Sequence, residues 1–239
     1  GNVMFQTAAS IGAARKNNMP YMVPHKPYFD AFKGVVYRKG SMVELNSVDY
    51  SENNFHYSNI VLDPEKNYNL LGYYQSEKYF KHCETEIRGV FKFVYDINSG
   101  AEKLIYALKA RYPNEDVVSI HFRFGDYVKL KDHYVYLADT DYYKNAVAKF
   151  DKLNTIFVVF SNDQKMAEEV LKELGIHFII LGDFTPETDM CIMSKCDHNI
   201  IANSSFSWWG SYLNENPNKI VIAPTKDKWF AEQMKNHNV

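Results

Sequence analysis

The sequence predicts an α/β protein whose C-terminal half is a parallel, doubly wound sheet. Three observations predict it. Five short apolar runs rich in β-branched residues recur between residues 117 and 223. The first four are each followed by a segment with helical spacing of apolar residues. Polar clusters stand at the carboxyl ends of three of the runs, the edge at which open α/β sheets bind ligands. Strands covered by helices on both faces read as near-continuous apolar runs, and successive crossovers make them parallel.

Taken in order, the chain opens on a turn-like Gly1-Asn2 and passes directly into a helix. Phe5, Ala8, Ala9, Gly12 and Ala13 keep helical spacing, Arg15 and Lys16 sit in the last turn, and Pro20 ends it. A helix that begins at residue 2 is expected to follow a strand, so the chain reads as a piece of a longer one. Tyr21-Met22-Val23 is a short strand between Pro20 and Pro24. Residues 25–68 show little periodicity; Val35–Tyr37 and Ile60–Leu62 read as short strands, with a loop around Ser51–Asn54. Residues 70–80 read as a strand running into a helix start that Ser76 would cap. A helix over 96–112 carries Ile97, Leu104, Ile105 and Leu108 on its apolar stripe. Strands then follow at 117–123, 155–160, 177–181, 198–202 and 219–223, with helices at about 141–150, 164–174 and 187–196 and from Ser205 on.

The central strand runs Val117 to Arg123 into Phe124-Gly125-Asp126-Tyr127. With period 2, Ser119, His121 and Arg123 share one face and Val118, Ile120 and Phe122 the other. The planar, permanently charged fork of Arg123 suits a diphosphate or a carboxylate. An Arg123–Asp126 ion pair at a strand end explains the same residues without a ligand. Ser161-Asn162-Asp163 follows the second strand and also suits a helix cap. Asn203-Ser204-Ser205-Phe206 follows the fourth and would open a helix whose N-terminus can hold phosphate oxygens; Trp208 and Trp209 behind it read as packing residues. Asp139-Thr140-Asp141 has the spacing with which two carboxylates hold a divalent ion on a diphosphate, but its place just before a helix favours capping. No phosphate-binding P-loop, dinucleotide fingerprint, zinc-protease motif or nucleophile elbow occurs.

Composition bounds the rest. In 239 residues, 46% are hydrophobic and 23% charged, enough apolar side chain for a packed core. A net charge of −2 gives no electrostatic footprint for nucleic acid. The apolar runs are too short to span a membrane, and residues 1–20 lack a signal-peptide profile. The aromatic content of 15% fits sugar-binding walls and, more simply, an aromatic core. Cys83, Cys191 and Cys196 have neither metal nor redox spacing, so a reduced, cytoplasmic setting is expected.

The motifs resemble those of glycosyltransferase family 11, the α-1,2-fucosyltransferases. His121-Phe122-Arg123-Phe124-Gly125-Asp126-Tyr127 is similar to the family's H-x-R-x-G-D-Y, and Asn203–Gly210 to its N-S-S-F-S-W-W-[GA] block. Gly1-Asn2 with Met4-Phe5-Gln6 resembles its opening, Gly72–Phe80 its G-Y-F-Q-S-E-K-Y-F segment, and Asp189-Met190 with Cys196 and Asn199–Ala202 the run into the serine block. Phe124 stands where the family has a second arginine, and Val3 where it has glutamine.

The resemblance implies a GT-B-like fold of two Rossmann-like halves, 1–114 on the acceptor side and 115–239 holding GDP-L-fucose. It implies inverting transfer of L-fucose to a glycan hydroxyl, α-1,2 to a terminal galactoside by default, with no metal and no cofactor beyond the donor. By the same carry-over Arg123 binds the β-phosphate, and His121 and Asp126 shape that site. Ser161, Asn162 and Asp163 lie near the nucleoside, Asn203, Ser204, Ser205 and Phe206 line the diphosphate and fucose, and Asn2 faces the donor. Glu77 and Asp126 are the carboxylates available as a general base. Two other classes fit the same motifs: a GDP- or glycan-binding module without turnover, and a transferase of another nucleotide sugar.

Overall fold

The computed structural model describes residues 1–38, 46–53 and 56–231. The chain divides into two compact units, one over Gly1–Val94 and one that begins at Tyr95.

In the first unit, helix α1 (Asn2–Lys16) starts where expected. The Gly1 carbonyl accepts the N–H groups of Met4 and Phe5 at 3.0 and 3.2 Å, and Met4, Phe5, Ala8, Ala9 and Ile11 are buried. Strand β1 (Val23–Pro24) pairs in parallel with β2 (Tyr37–Arg38), and β3 (Ser47–Ser51) with β4 (Asn67–Leu71). β3 lies in the stretch that shows no periodicity, because four of its five residues are exposed. Of the loop expected at 51–54, Ser51 is the last residue of β3 and Asn54 lies outside the described residues. Ile60–Leu62 is not a strand: Ile60 is buried, and the Leu62 N–H donates to the Asn17 side chain at 3.1 Å. Ser76 caps as expected, its hydroxyl accepting the Lys78 N–H at 3.3 Å, but the element it caps is a 3-10 turn, Glu77–Tyr79, and not an α-helix. Helix α2 (Glu84–Val90) completes this unit.

The second unit opens with helix α3 (Tyr95–Arg111), which lies ahead of the boundary expected at 114 and packs on elements of this unit. It continues through β5 (Asp116–Phe122), α4 (Asp126–Lys129), α5 (Tyr142–Val147), β6 (Thr155–Ser161), α6 (Gln164–Leu174), β7 (Phe178–Ile180), α7 (Pro186–Met193), β8 (His198–Ile200), α8 (Ser205–Leu213) and β9 (Val221–Ile222). The five strands pair in parallel in the order β7-β6-β5-β8-β9, with Ile120 opposite Val159 on one side and Ile200 on the other. Val118, Ile120 and Phe122 are buried against Tyr143, Ala146 and Val147 of α5 and Ala167 and Leu171 of α6. α3 packs on β5 and α7, and α7 on α8. On that side a buried amide network joins the apolar packing of residues such as Ile105, Ile192 and Met193. Asn199 donates to the Ser119 hydroxyl at 2.7 Å and the Met193 carbonyl at 2.9 Å, and accepts from Asn214 at 2.9 Å. A satisfied network of this kind pins the register of β5 against β8.

The chain leaves β5 for β6 and β7 on one side, then returns to β8 and β9 on the other. The order in which strands are added therefore reverses between β5 and β8, and the carboxyl ends of those two strands flank the crevice in which such sheets bind ligands.

Candidate functional site

Two sequence clusters meet at that reversal, one from β5 and one from the turn between β8 and α8. His121, near the end of β5, is 5% exposed, and its ring lies 5.5 Å from the ring of Phe206 in α8. Burial, helped by the neighbouring Arg123 charge, pushes its pKa down to about 3, so the imidazole is neutral. Its Nδ1 is buried with no hydrogen-bond partner among the described residues, an arrangement that leaves a polar atom for a ligand to satisfy. The backbone at His121 is held separately, its carbonyl accepting the Tyr143 hydroxyl at 2.8 Å.

Arg123 is the first residue past β5 and is half-buried. Its guanidinium carbon stands 5.3 Å from the ring centroid of Tyr127. The turn that carries it is locked by Asn162: the Asn162 Oδ1 accepts the Phe124 N–H at 2.8 Å. Gly125 has φ +56°, and a β-carbon there would lie 2.3 Å from the Asn162 Nδ2. The turn therefore needs glycine both for its left-handed backbone and for the close approach of the amide. Phe124 is 1% exposed and packs in the core with Phe122, so the side chain at the family's second arginine position is a packing residue. Asp126 opens α4, and its side chain lies outside what the structure describes.

Ser204 caps α8, its hydroxyl accepting the Phe206 N–H at 3.3 Å, and Ser207 accepts the Ala202 N–H at 3.2 Å. The positive end of the α8 dipole thus lies at the same edge of the sheet as Arg123. Asn203 is buried, and its amide donates to the carbonyls of Val135 at 2.9 Å and Trp229 at 3.1 Å, fixing the loops beside the helix start. Trp209 is fully buried and Trp208 stacks on Tyr212 at 4.9 Å, as packing residues do.

The third cluster caps. Asp163 Oδ1 accepts the Met166 N–H at 3.0 Å at the start of α6, and the Ser161 hydroxyl accepts the Asp163 N–H at 3.0 Å. Asn162 is exposed apart from its lock on the Phe124–Gly125 turn. In the Asp139-Thr140-Asp141 stretch, Lys131 holds the Asp139 carboxylate at 2.7 Å, and Thr140 accepts the Tyr142 N–H at 3.2 Å. Capping there falls to the threonine. Among the described residues no group of three or more His, Cys, Asp or Glu is placed to hold a metal ion, and no helix is long and apolar enough to cross a membrane. Cys83, Cys191 and Cys196 are free thiols.

The first unit holds Asn2 and Glu77. The Asn2 Oδ1 accepts the Gln75 amide at 2.8 Å, beside which Gln6 donates to the Gly72 carbonyl at 2.8 Å. Glu77 is exposed and lies 3.6 Å from the Lys81 ammonium. Sequence reasoning missed three features: the Asn162 lock, the Tyr127 contact, and Glu52, whose carboxylate accepts the N–H groups of Tyr73 and Tyr74 at 2.7 and 2.9 Å. The glycine at 125 signals the first; Tyr127 shares one motif with Arg123, and the Glu52 contacts join segments distant in sequence.

The sequence model of glycosyl transferase family 11 matches residues 26–238. The O-antigen biosynthesis glycosyltransferase WbnK of Escherichia coli is 30% identical over 206 residues, 83% of this chain and 65% of its own length. An alpha-1,2-colitosyltransferase of Escherichia coli is 35% identical over 174 residues, 69% of this chain and 57% of its own. Galactoside alpha-(1,2)-fucosyltransferase 2 of Pongo pygmaeus is 25% identical over 229 residues, 89% of this chain and 66% of its own. The chain thus spans less than two thirds of the length of the first two of these relatives.

Proposed function

The chain belongs to glycosyl transferase family 11, and on that premise we propose that it carries the donor machinery of an inverting fucosyltransferase. It would move L-fucose from GDP-L-fucose to a glycan hydroxyl, α-1,2 to a terminal galactoside. The observation that carries this reading is the meeting of Arg123, the neutral His121 and the Ser204-capped start of α8 at the sheet reversal.

In such a transfer the bond from the anomeric carbon to the β-phosphate breaks as a bond to the acceptor oxygen forms. Positive charge develops on the sugar ring and negative charge on the departing GDP. Arg123 and the α8 N–H groups would take up that negative charge without a metal, as fixed donors aimed at the site where it grows. His121, being neutral, would offer Nδ1 as a hydrogen-bonding atom and add no second cation. Asn162 and Gly125 would hold the Arg123 turn, and Ser205 and Phe206 would border the donor. The acceptor proton would pass to a carboxylate, for which Glu77 and Asp126 are the candidates. In this reading the two units are the acceptor-side and donor-side halves of a GT-B-like protein, with Asn2 belonging to the first.

A second donor is favoured by one finding: the relative 35% identical to this chain is named a colitosyltransferase. The test offers GDP-L-fucose and a colitose donor in parallel to a terminal β-galactoside and follows product and released GDP. Turnover with GDP-L-fucose is expected, and Arg123→Ala is expected to lower it about 10²–10³-fold. Turnover with the colitose donor alone replaces the sugar assignment. Near-normal turnover by folded Arg123→Ala would overturn the site, and GDP binding without turnover on any acceptor would mark a binding module.

A further inference from the structure

We propose that Tyr127 is the positioning residue of this site: its ring sets the Arg123 guanidinium, and its hydroxyl ties that group to the start of the serine block. The proposal rests on the reading of Arg123 as the phosphate partner. An arginine beyond a strand end has several free torsions, and catalysis by a fixed charge needs them held. The guanidinium carbon lies 5.3 Å from the Tyr127 ring centroid, within cation–π range. An aromatic face orients a cation without neutralising it.

Tyr127 is itself fixed from three directions. Its N–H donates to the Phe124 carbonyl at 3.0 Å, closing the turn that carries Arg123. Its ring stacks on Tyr134 at 4.1 Å and 8°. Its hydroxyl donates to the Asn203 carbonyl at 3.2 Å, one residue before the cap of α8. The Tyr134 ring in turn lies 5.9 Å from that of Phe230, and the two residues form an antiparallel bridge. Asn203 clamps the neighbouring carbonyls of Val135 and Trp229. A displacement of either anion-binding element would therefore be felt by the other through one side chain.

A double-mutant cycle tests this on the whole chain, with GDP as the calorimetric probe. Tyr127→Leu removes ring and hydroxyl and is expected to weaken GDP binding about tenfold. Tyr127→Phe keeps the ring, loses the bond to Asn203, and is expected to cost about threefold. Placed on Arg123→Lys, Tyr127→Leu is expected to cost less than about twofold, because the group it positions is gone. An equal loss in both backgrounds, or no loss in either, overturns the proposal. A readout without ligand separates it from the functional reading. The Arg123 Nε–H resonance, assigned by its disappearance in Arg123→Lys, feels the Tyr127 ring current. It is expected to hold its position in Tyr127→Phe and to move in Tyr127→Leu. An unmoved resonance overturns the positioning role, whereas a wild-type chain that binds no GDP but shows the ring-current shift retires the functional reading alone. Where Tyr127→Leu fails to fold, the Tyr127→Phe cycle on Arg123→Lys decides: the threefold cost must vanish there, and its persistence overturns the proposal.

Discussion

Alanine at Gly125 should damage the protein in two separable ways, and the structure supplies a control for one of them. Gly125 holds φ +56°, a region that costs an L-residue about 1–2 kcal/mol. Its new β-carbon would lie 2.3 Å from the Asn162 Nδ2, so the amide must leave. With it goes the bond from the Phe124 N–H to Oδ1 at 2.8 Å, and stranding a partly buried donor costs about 1–3 kcal/mol. The sum is about 2–5 kcal/mol. Gly175 has φ +61° and nothing within 4 Å of a built β-carbon, so Gly175→Ala should carry only the backbone cost of about 1–2 kcal/mol. The excess at Gly125 measures the Asn162 lock. Urea unfolding followed by tryptophan fluorescence reads it cleanly, because the chain's 3 tryptophans, Trp208, Trp209 and Trp229, all lie in the second unit. On an Asn162→Ala background the Gly125 penalty should fall to the Gly175 value. Equal penalties at the two glycines, or a Gly125 penalty unchanged by Asn162→Ala, would rule out the lock.

Two further predictions concern charge, and a third concerns metal. His121 is held near pKa 3 in the folded protein, mainly by burial and then by Arg123, against about 6.5 unfolded. Between those values the unfolded state binds the extra proton, so stability falls as pH drops below about 6.5, by about 1.4 kcal/mol per pH unit for one proton. His121→Asn should remove that slope from a series of urea midpoints, and an unchanged slope would contradict it. Asp189 has the opposite sign: burial first, then the charge of Asp183, raises it to about 7, so its stabilising contribution is present in acid and is lost as pH rises through about 7. Asp189→Asn should flatten that loss in the same series. The Asp139 carboxylate is held by Lys131, so Asp139→Asn and added EDTA should each leave GDP affinity unchanged in calorimetry; a loss with either would restore a metal role to that stretch.

The second unit was legible because its two longest strands, β5 and β6, are buried on both faces. Every residue of β5 after Asp116 is buried, and so are the first six of β6, which leaves an apolar run that no surface segment imitates. The parallel order came from alternation with helices, and the gathering of polar clusters at one edge came from that order. The first unit was largely illegible for the converse reason. Ser47–Ser51 is a strand with a polar, exposed sequence and carries no hydrophobic period, and its partner Asn67–Leu71 alternates only between exposed and half-buried positions. Ile60–Leu62 imitates a strand because Ile60 needs burial, yet its neighbours serve the end of α1. In the site, residue types were readable and partners were not. Arg123, His121 and Ser204 could be picked by chemistry and position. That Asn162 grips the Gly125 turn depends on which loops the folded sheet brings together, and that Tyr127 lies under Arg123 depends on how the short turn between them is wound.

A guanine-nucleotide donor site built on Arg123 at the reversal of the sheet is the feature on which the proposed function stands. Thermal unfolding with GDP, UDP, CDP or ADP, with and without EDTA, probes it without any acceptor. A ligand at 100 times its Kd adds about 2.7 kcal/mol to stability. A guanine-specific, metal-free site raises Tm with GDP and not with the other three nucleotides, keeps that rise in EDTA, and loses it in Arg123→Ala. A preference for UDP, or a GDP shift that survives Arg123→Ala, would contradict it.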